Sequence, residues 1–90
     1  PEQWLESFTR DNRNEESVER LGGVIFNLFM GWCAENNIKY DTTSLKFGIN
    51  LKSLKIDGVE KGRHTDKGAM KLFNINKLKK HFNIGCIVEL

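Results

Sequence analysis

The sequence predicts a single domain that is mainly α with a small β-hairpin. Three patterns carry that prediction. Apolar residues recur at helical spacing through the first half of the chain. The period changes after Gly58, where two short segments flank the polar turn "TDKG". A last helix-like segment, "KLKKHF", then follows a pair of candidate asparagine caps. Ninety residues are enough for one modest core and too few for two, so residues 1–90 are read as one unit. With 39% apolar and 29% charged residues, the composition is that of an ordinary globular protein.

Trp4, Leu5 and Phe8 share one helical face and predict a short first helix over residues 4–13. In "NEESVERLGG", Asn14 or Ser17 offers a side-chain oxygen to the free N–H groups of a second helix. The acids after Asn14 suit the positive end of that helix's dipole. "VIFNLFMGWCAENN" is the strongest helical segment. Val24, Ile25, Leu28, Phe29, Trp32 and Cys33 form a wide apolar stripe, which predicts a mostly buried spine for the core. Gly22, Gly23 and Gly31 weaken it locally, by about 1 kcal/mol each relative to alanine if interior. Asn36 and Asn37 are the expected stop, since asparagine tolerates the left-handed cap conformation.

"IKYDTTS" has room for a brief extended piece before Thr42, Thr43 or Ser44 caps a third helix. That helix, "SLKFGINLKSLKI", ends near Leu54. Phe47, Leu51 and Leu54 fall at i, i+4 and i+7, which predicts a core-facing side. Lys46, Asn50 and Ser53 repeat the spacing one residue earlier and form a basic, amide-bearing side. Gly48 is expected to let a neighbouring helix pack closely. "VEKGRH" and "AMKLFNI" then read as two strands. Asn74 or Asn76 caps the final helix, Gly85 ends it, and "CIVEL" reads as a strand or packing segment.

The overall charge of +2 hides an asymmetry. Residues 1–20 carry six acids against three bases, a net of −3, whereas residues 44–82 carry ten bases against three acids, a net of +7. A segregated basic half is the footprint of a polyanion binder, and it is also what a solvated lysine surface looks like; charge alone does not separate the two. Catalysis is not expected. The chain has no Gly-x-x-x-x-Gly-Lys-Ser/Thr loop for a nucleotide, no arguable Ser-His-Asp or Cys-His arrangement, and paired carboxylates only at Glu15-Glu16. Cys33, His64, His81 and Cys86 lack the short spacings of a zinc site, and no cofactor is expected. Two distant cysteines predict free thiols and an intracellular chain. No apolar run approaches the ~18–20 residues that span a bilayer and no signal-peptide pattern is present, so a cytoplasmic chain with no membrane partner is expected. The first residue is Pro1 rather than Met, which predicts a piece of a longer protein.

Three helices, a two-stranded hairpin and one more helix make a winged helix-turn-helix with an extra C-terminal helix. In that layout the third helix enters the DNA major groove. Phe29, Trp32, Cys33 and Asn36 form an aromatic-x-x-Trp-Cys-x-x-Asn helix, and Phe47, Gly48, Leu51, Lys52 and Leu54 form a Phe-Gly-x-x-Leu-Lys-x-Leu helix. With the Thr/Ser cap and the basic hairpin, the chain resembles the C-terminal winged-helix domain of phage and plasmid primase-helicases, the poxvirus-type superfamily 3. The likeness runs from residue 4 to residue 75. "MKLFNI" departs from the family's aromatic-Gly-hydrophobic wing ending, and "NKLKKHFNIGCIVEL" exceeds the family's short ending. The resemblance implies a parent with a hexameric ATPase ring. Low proline and abundant Lys, Asn and Ile suggest an AT-rich genome. By association, the chain is similar to replication initiators of mobile elements of the staphylococcal pathogenicity-island type.

Duplex DNA with an AT-rich origin is therefore the expected partner, together with the parent helicase hexamer; no small-molecule substrate is expected. Phosphates supply most of the affinity for duplex DNA, and lysines suit them as point charges. The candidates are Lys46, Lys52 and Lys55 on the third helix, Lys61, Arg63, His64 and Lys67 around the hairpin, and Lys79 or Lys80 on the last helix. Asn50 offers a bidentate pairing with adenine, with Ser53 beside it, and Arg63 offers reach into a minor groove. One arginine in the basic half fits an AT-rich target or shape recognition better than guanine readout. Trp4, Phe8, Phe26, Phe29, Trp32, Phe47 and Phe73 are spaced as core residues, not as a base-stacking platform. The alternative is a protein-interaction module whose acidic first segment and "CIVEL" tail dock on the parent helicase or a regulator.

Overall fold

A computed structural model of the chain describes residues 1–84. The elements run α1 (Glu2–Asp11), β1 (Ser17–Leu21), α2 (Gly22–Glu35), α3 (Ser44–Ser53), β2 (Val59–Thr65), β3 (Gly68–Asn74) and α4 (Ile75–Phe82). The three strands form one antiparallel sheet in the order β1-β3-β2. The hairpin expected from the sequence is therefore part of a larger sheet, and β1 is the addition. Val18 pairs with Phe73, which in turn pairs with Val59, so one apolar row crosses all three strands. Val18 and Phe73 are buried. Burial of this row outweighs the helix-friendly glutamate and arginine of "SVERL".

The strand moves the start of the second helix. Leu21 occupies the N-cap position of α2 without a side-chain cap, and neither Asn14 nor Ser17 plays that part. Gly22 and Gly23 then fall in the first turn, leaving Gly31 as the interior glycine. The apolar stripe is narrower than its spacing suggested. Ile25, Phe29 and Cys33 are buried, but Val24 and Leu28 are 43% and 48% exposed. The helix ends as expected: Asn37 takes φ +56°, and the N–H groups of Asn37 and Ile38 donate to the Ala34 and Cys33 carbonyls. Residues 38–43 form no strand.

Trp4 is the hub of the core. Its ring lies 5.1 Å from Phe8, 5.9 Å from Phe29, 5.6 Å from Phe47 and 6.3 Å from Phe73, so one side chain on α1 touches α2, α3 and β3. Phe29 and Phe47 stack at 4.6 Å and fix α3 against α2. The Thr43 hydroxyl accepts from the Lys46 N–H at 3.2 Å and starts α3, and Phe47 and Leu51 carry it into the core. The Asn74 carbonyl side chain accepts from the Lys77 N–H at 3.1 Å and starts α4. Asn83 ends α4 in the left-handed conformation, two residues before Gly85, which lies outside the described residues with "CIVEL".

Gly58 joins α3 to the sheet. Its φ is +113°, and a Cβ there would sit 2.9 Å from Leu78 Cγ and 3.0 Å from the Asn74 carbonyl oxygen. The Asn74 N–H donates to the Gly58 carbonyl at 2.8 Å. The turn thus passes directly over the start of α4, where only glycine fits.

Candidate nucleic-acid interface

A groove of about 500 Å³ runs between α3 and the β2–β3 hairpin and is closed at one end by the start of α2. Lys52 stands on the α3 wall, Lys61 and Lys67 on the hairpin wall, and Lys71 on the floor. Among the lining residues Glu60 is the one acid.

Lys71 comes to the floor through strand alternation. It lies two residues from buried Phe73, so both side chains project from the same face of β3. Its stem lies between two glycines. A Cβ on Gly22 would be 3.8 Å from Lys71 Cε, and a Cβ on Gly48 would be 3.3 Å from Lys71 Nζ. Gly48 therefore makes room for a lysine from the sheet, not for the neighbouring helix that the sequence suggested. Half-burial, and then the nearby Lys52 charge, lower the Lys71 pKa. A half-desolvated ammonium facing a second cation is an arrangement that an anion would relieve.

The residues singled out from sequence do not form one cluster. All nine, Lys46, Asn50, Lys52, Ser53, Lys55, Lys61, Arg63, His64 and Lys67, are exposed. Of these, Lys52, Lys61 and Lys67 line the groove and the others do not. Lys46, Asn50 and Ser53 follow one another along the side of α3 turned away from the groove, and the Ser53 hydroxyl donates to the Asn50 carbonyl at 2.9 Å. Lys55 follows α3 with φ +52°. His64 pairs with Ala69 near the hairpin tip.

Arg63 is held. Glu19 pairs with Leu72, one residue out of step with Lys71, and so reaches along the opposite face of the sheet. Its carboxylate accepts from the Arg63 backbone N–H at 3.2 Å and from Nε at 3.1 Å, with Nη2 3.0 Å away. These contacts sit at a register irregularity between Lys61 and His64. The backbone bond first, and the guanidinium bonds next, hold the Glu19 carboxyl below its usual pKa. Arg63 is thus tethered to β1 across the sheet, with its side chain still 76% exposed. On α4, Lys79 donates to the Arg13 carbonyl at 3.1 Å, while Lys80 is exposed.

Three residues lining the groove were not among the sequence candidates: Lys71, Leu45 and Ile49. At about 100° per residue, Ile49 falls roughly opposite the core-facing side of α3, with Leu45 beside it. Leu45 is 74% and Ile49 57% exposed. Lys71 was legible in the alternation with Phe73, and Leu45 and Ile49 in their i, i+4 spacing. No family model, curated protein or solved structure matches the chain. Among the described residues no helix is long and apolar enough to cross a membrane.

Proposed function

We propose that this chain is a duplex-DNA-binding module of the winged-helix type, in which α3 is the recognition helix, β2 and β3 are the wing, and α4 is an added helix. The observation that carries the reading is the groove, where four lysines from α3, the hairpin and the sheet floor converge against a single acid. The element order and the β1-β3-β2 strand order support the fold assignment, because they bring the hairpin alongside α3. The sequence likeness described above supports a parent that is a mobile-element replication initiator or primase-helicase working in a bacterial cytoplasm, with an AT-rich origin as target and the helicase hexamer as partner.

Fluorescence anisotropy with origin-like and random duplexes tests this. Affinity is expected to fall steeply with salt, with a slope of about three to six phosphates, and Lys52→Ala or Lys61→Ala each removes roughly one. The absence of binding to any duplex at ~50 mM salt refutes the reading.

A second reading, a protein-docking module, is favoured by one observation. Leu28, 48% exposed, lines a groove between α1 and α2 together with Trp32. A parent lacking this domain that still binds its origin but assembles abnormally would support it.

A further inference from the structure

We infer that Leu45 and Ile49 read the 5-methyl groups of thymine in a DNA major groove. This rests on the duplex-binding reading and adds what the recognition helix recognises. Leu45 and Ile49 are 74% and 57% exposed, although α3 buries Phe47 and Leu51 completely or nearly so. They stand one turn apart on α3 and form the ridge of the helix that lines the groove. Exposed pairs of large aliphatics in a cationic setting call for an occupant that is both anionic and locally apolar. Lys46 and Lys52 flank the ridge on α3, and Lys61, Lys67 and Lys71 lie across and beneath the adjoining groove. Duplex DNA meets both demands. Its backbone is a polyanion, and the thymine methyl is the apolar group that it shows in the major groove. The ridge therefore sits where bases would be read, and Asn50 lies on the helix side away from the groove. Thymine-rich steps are selected by burial of methyl groups, with the lysines holding the flanking phosphates.

The test separates the methyl group from everything else in the duplex. The chain is titrated by anisotropy with an AT-rich duplex and with the same duplex carrying deoxyuridine in place of thymidine. Charge and hydrogen-bonding edges are then unchanged. The thymidine duplex is expected to bind tighter by about fourfold for each methyl buried. The pair Leu45→Ala and Ile49→Ala, both at exposed positions, removes that difference and leaves the salt slope as it was. Asn50→Ala leaves the difference in place. Equal affinity for the two duplexes, with the salt dependence intact, overturns the inference and spares the DNA-binding reading. A thymidine preference that survives in the double variant overturns it as well. Failure to bind any duplex removes the DNA-binding reading and this inference together. Duplex affinity unchanged by the double variant, alongside loss of binding to an acidic amphipathic peptide, assigns the ridge to a protein partner and overturns the inference.

Discussion

Gly58→Ala is expected to be among the most damaging single-methyl additions in the chain. Two costs combine. The residue keeps φ +113°, where an L side chain is strained by about 1–3 kcal/mol. The new Cβ would lie 2.9 Å from Leu78 Cγ, closer than real Cβ atoms approach, and 3.0 Å from the Asn74 carbonyl oxygen, a contact that forces the neighbour to give. Leu78 is fully buried, and Asn74 both caps α4 and donates to Gly58, so relief by movement disturbs the seat of α4. Overpacking of this kind costs about 1–3 kcal/mol. The sum is roughly 4 kcal/mol, which for a domain of this size lowers the melting temperature by roughly 16–32 °C. Gly31→Ala provides the opposite sign. Gly31 is exposed within α2 and a Cβ there meets nothing within 4 Å, so the change should stabilise by about 0.5–1 kcal/mol. Urea and thermal unfolding, followed by circular dichroism, measure both. A loss below about 1 kcal/mol for Gly58→Ala would refute the reasoning, because strain alone should exceed it.

Three other outcomes are expected. Thr43→Ala should cost about 1 kcal/mol through loss of the α3 cap, and Thr43→Ser should restore most of it in the same unfolding assay. Glu19→Gln should loosen the clamp on Arg63 and remove a carboxylate beside the hairpin, so duplex affinity should rise; an unchanged or weakened affinity in anisotropy would show that the clamp positions Arg63 for binding instead. Lys71 should make binding sensitive to alkali. Its pKa is lowered in the folded chain, so as pH rises through that value the groove loses a charge and duplex affinity falls before ordinary lysines titrate. Over the same window, up to the ordinary lysine value, the unfolded chain holds more protons than the folded one, so stability rises while binding weakens. Lys52→Ala removes one cause of the shift and should move the loss of binding to higher pH.

Sequence patterns foretold the elements whose determinants are local. The α3 cap within Thr42–Ser44, which proves to be Thr43, the helix stop at Asn36 and Asn37, the hairpin around "TDKG" and the α4 cap, Asn74 of the two asparagines offered, are each set by a few neighbouring residues. β1 is different. Its reason to exist is Phe73, which lies far along the chain, and five residues show too little periodicity to reveal a strand beside acids that also suit a helix. The candidate site divides in the same way. The lysines of α3 and the hairpin could be named from charge, but whether they converge depends on how α3 sits over the sheet. That placement groups Lys52, Lys61 and Lys67 with Lys71 and leaves Lys46, Lys55 and His64 aside. The tie between Arg63 and Glu19 crosses the sheet through a strand that the sequence did not announce.

The position of β2 at the end of the strand order has a consequence for how the chain behaves in a crowd of its own copies. A terminal strand offers unpaired backbone groups to any similar strand, and such edges seed fibrils and precipitates. β2 carries Lys61, Arg63 and His64, and its register breaks between Lys61 and His64. Like charges and a kinked rail are what keep two such edges from zipping together. The basic residues of this strand thus disfavour edge-to-edge pairing whatever else they touch. Variants that neutralise several of them at once would lose colloidal protection along with charge, which makes single substitutions the cleaner probe of this surface.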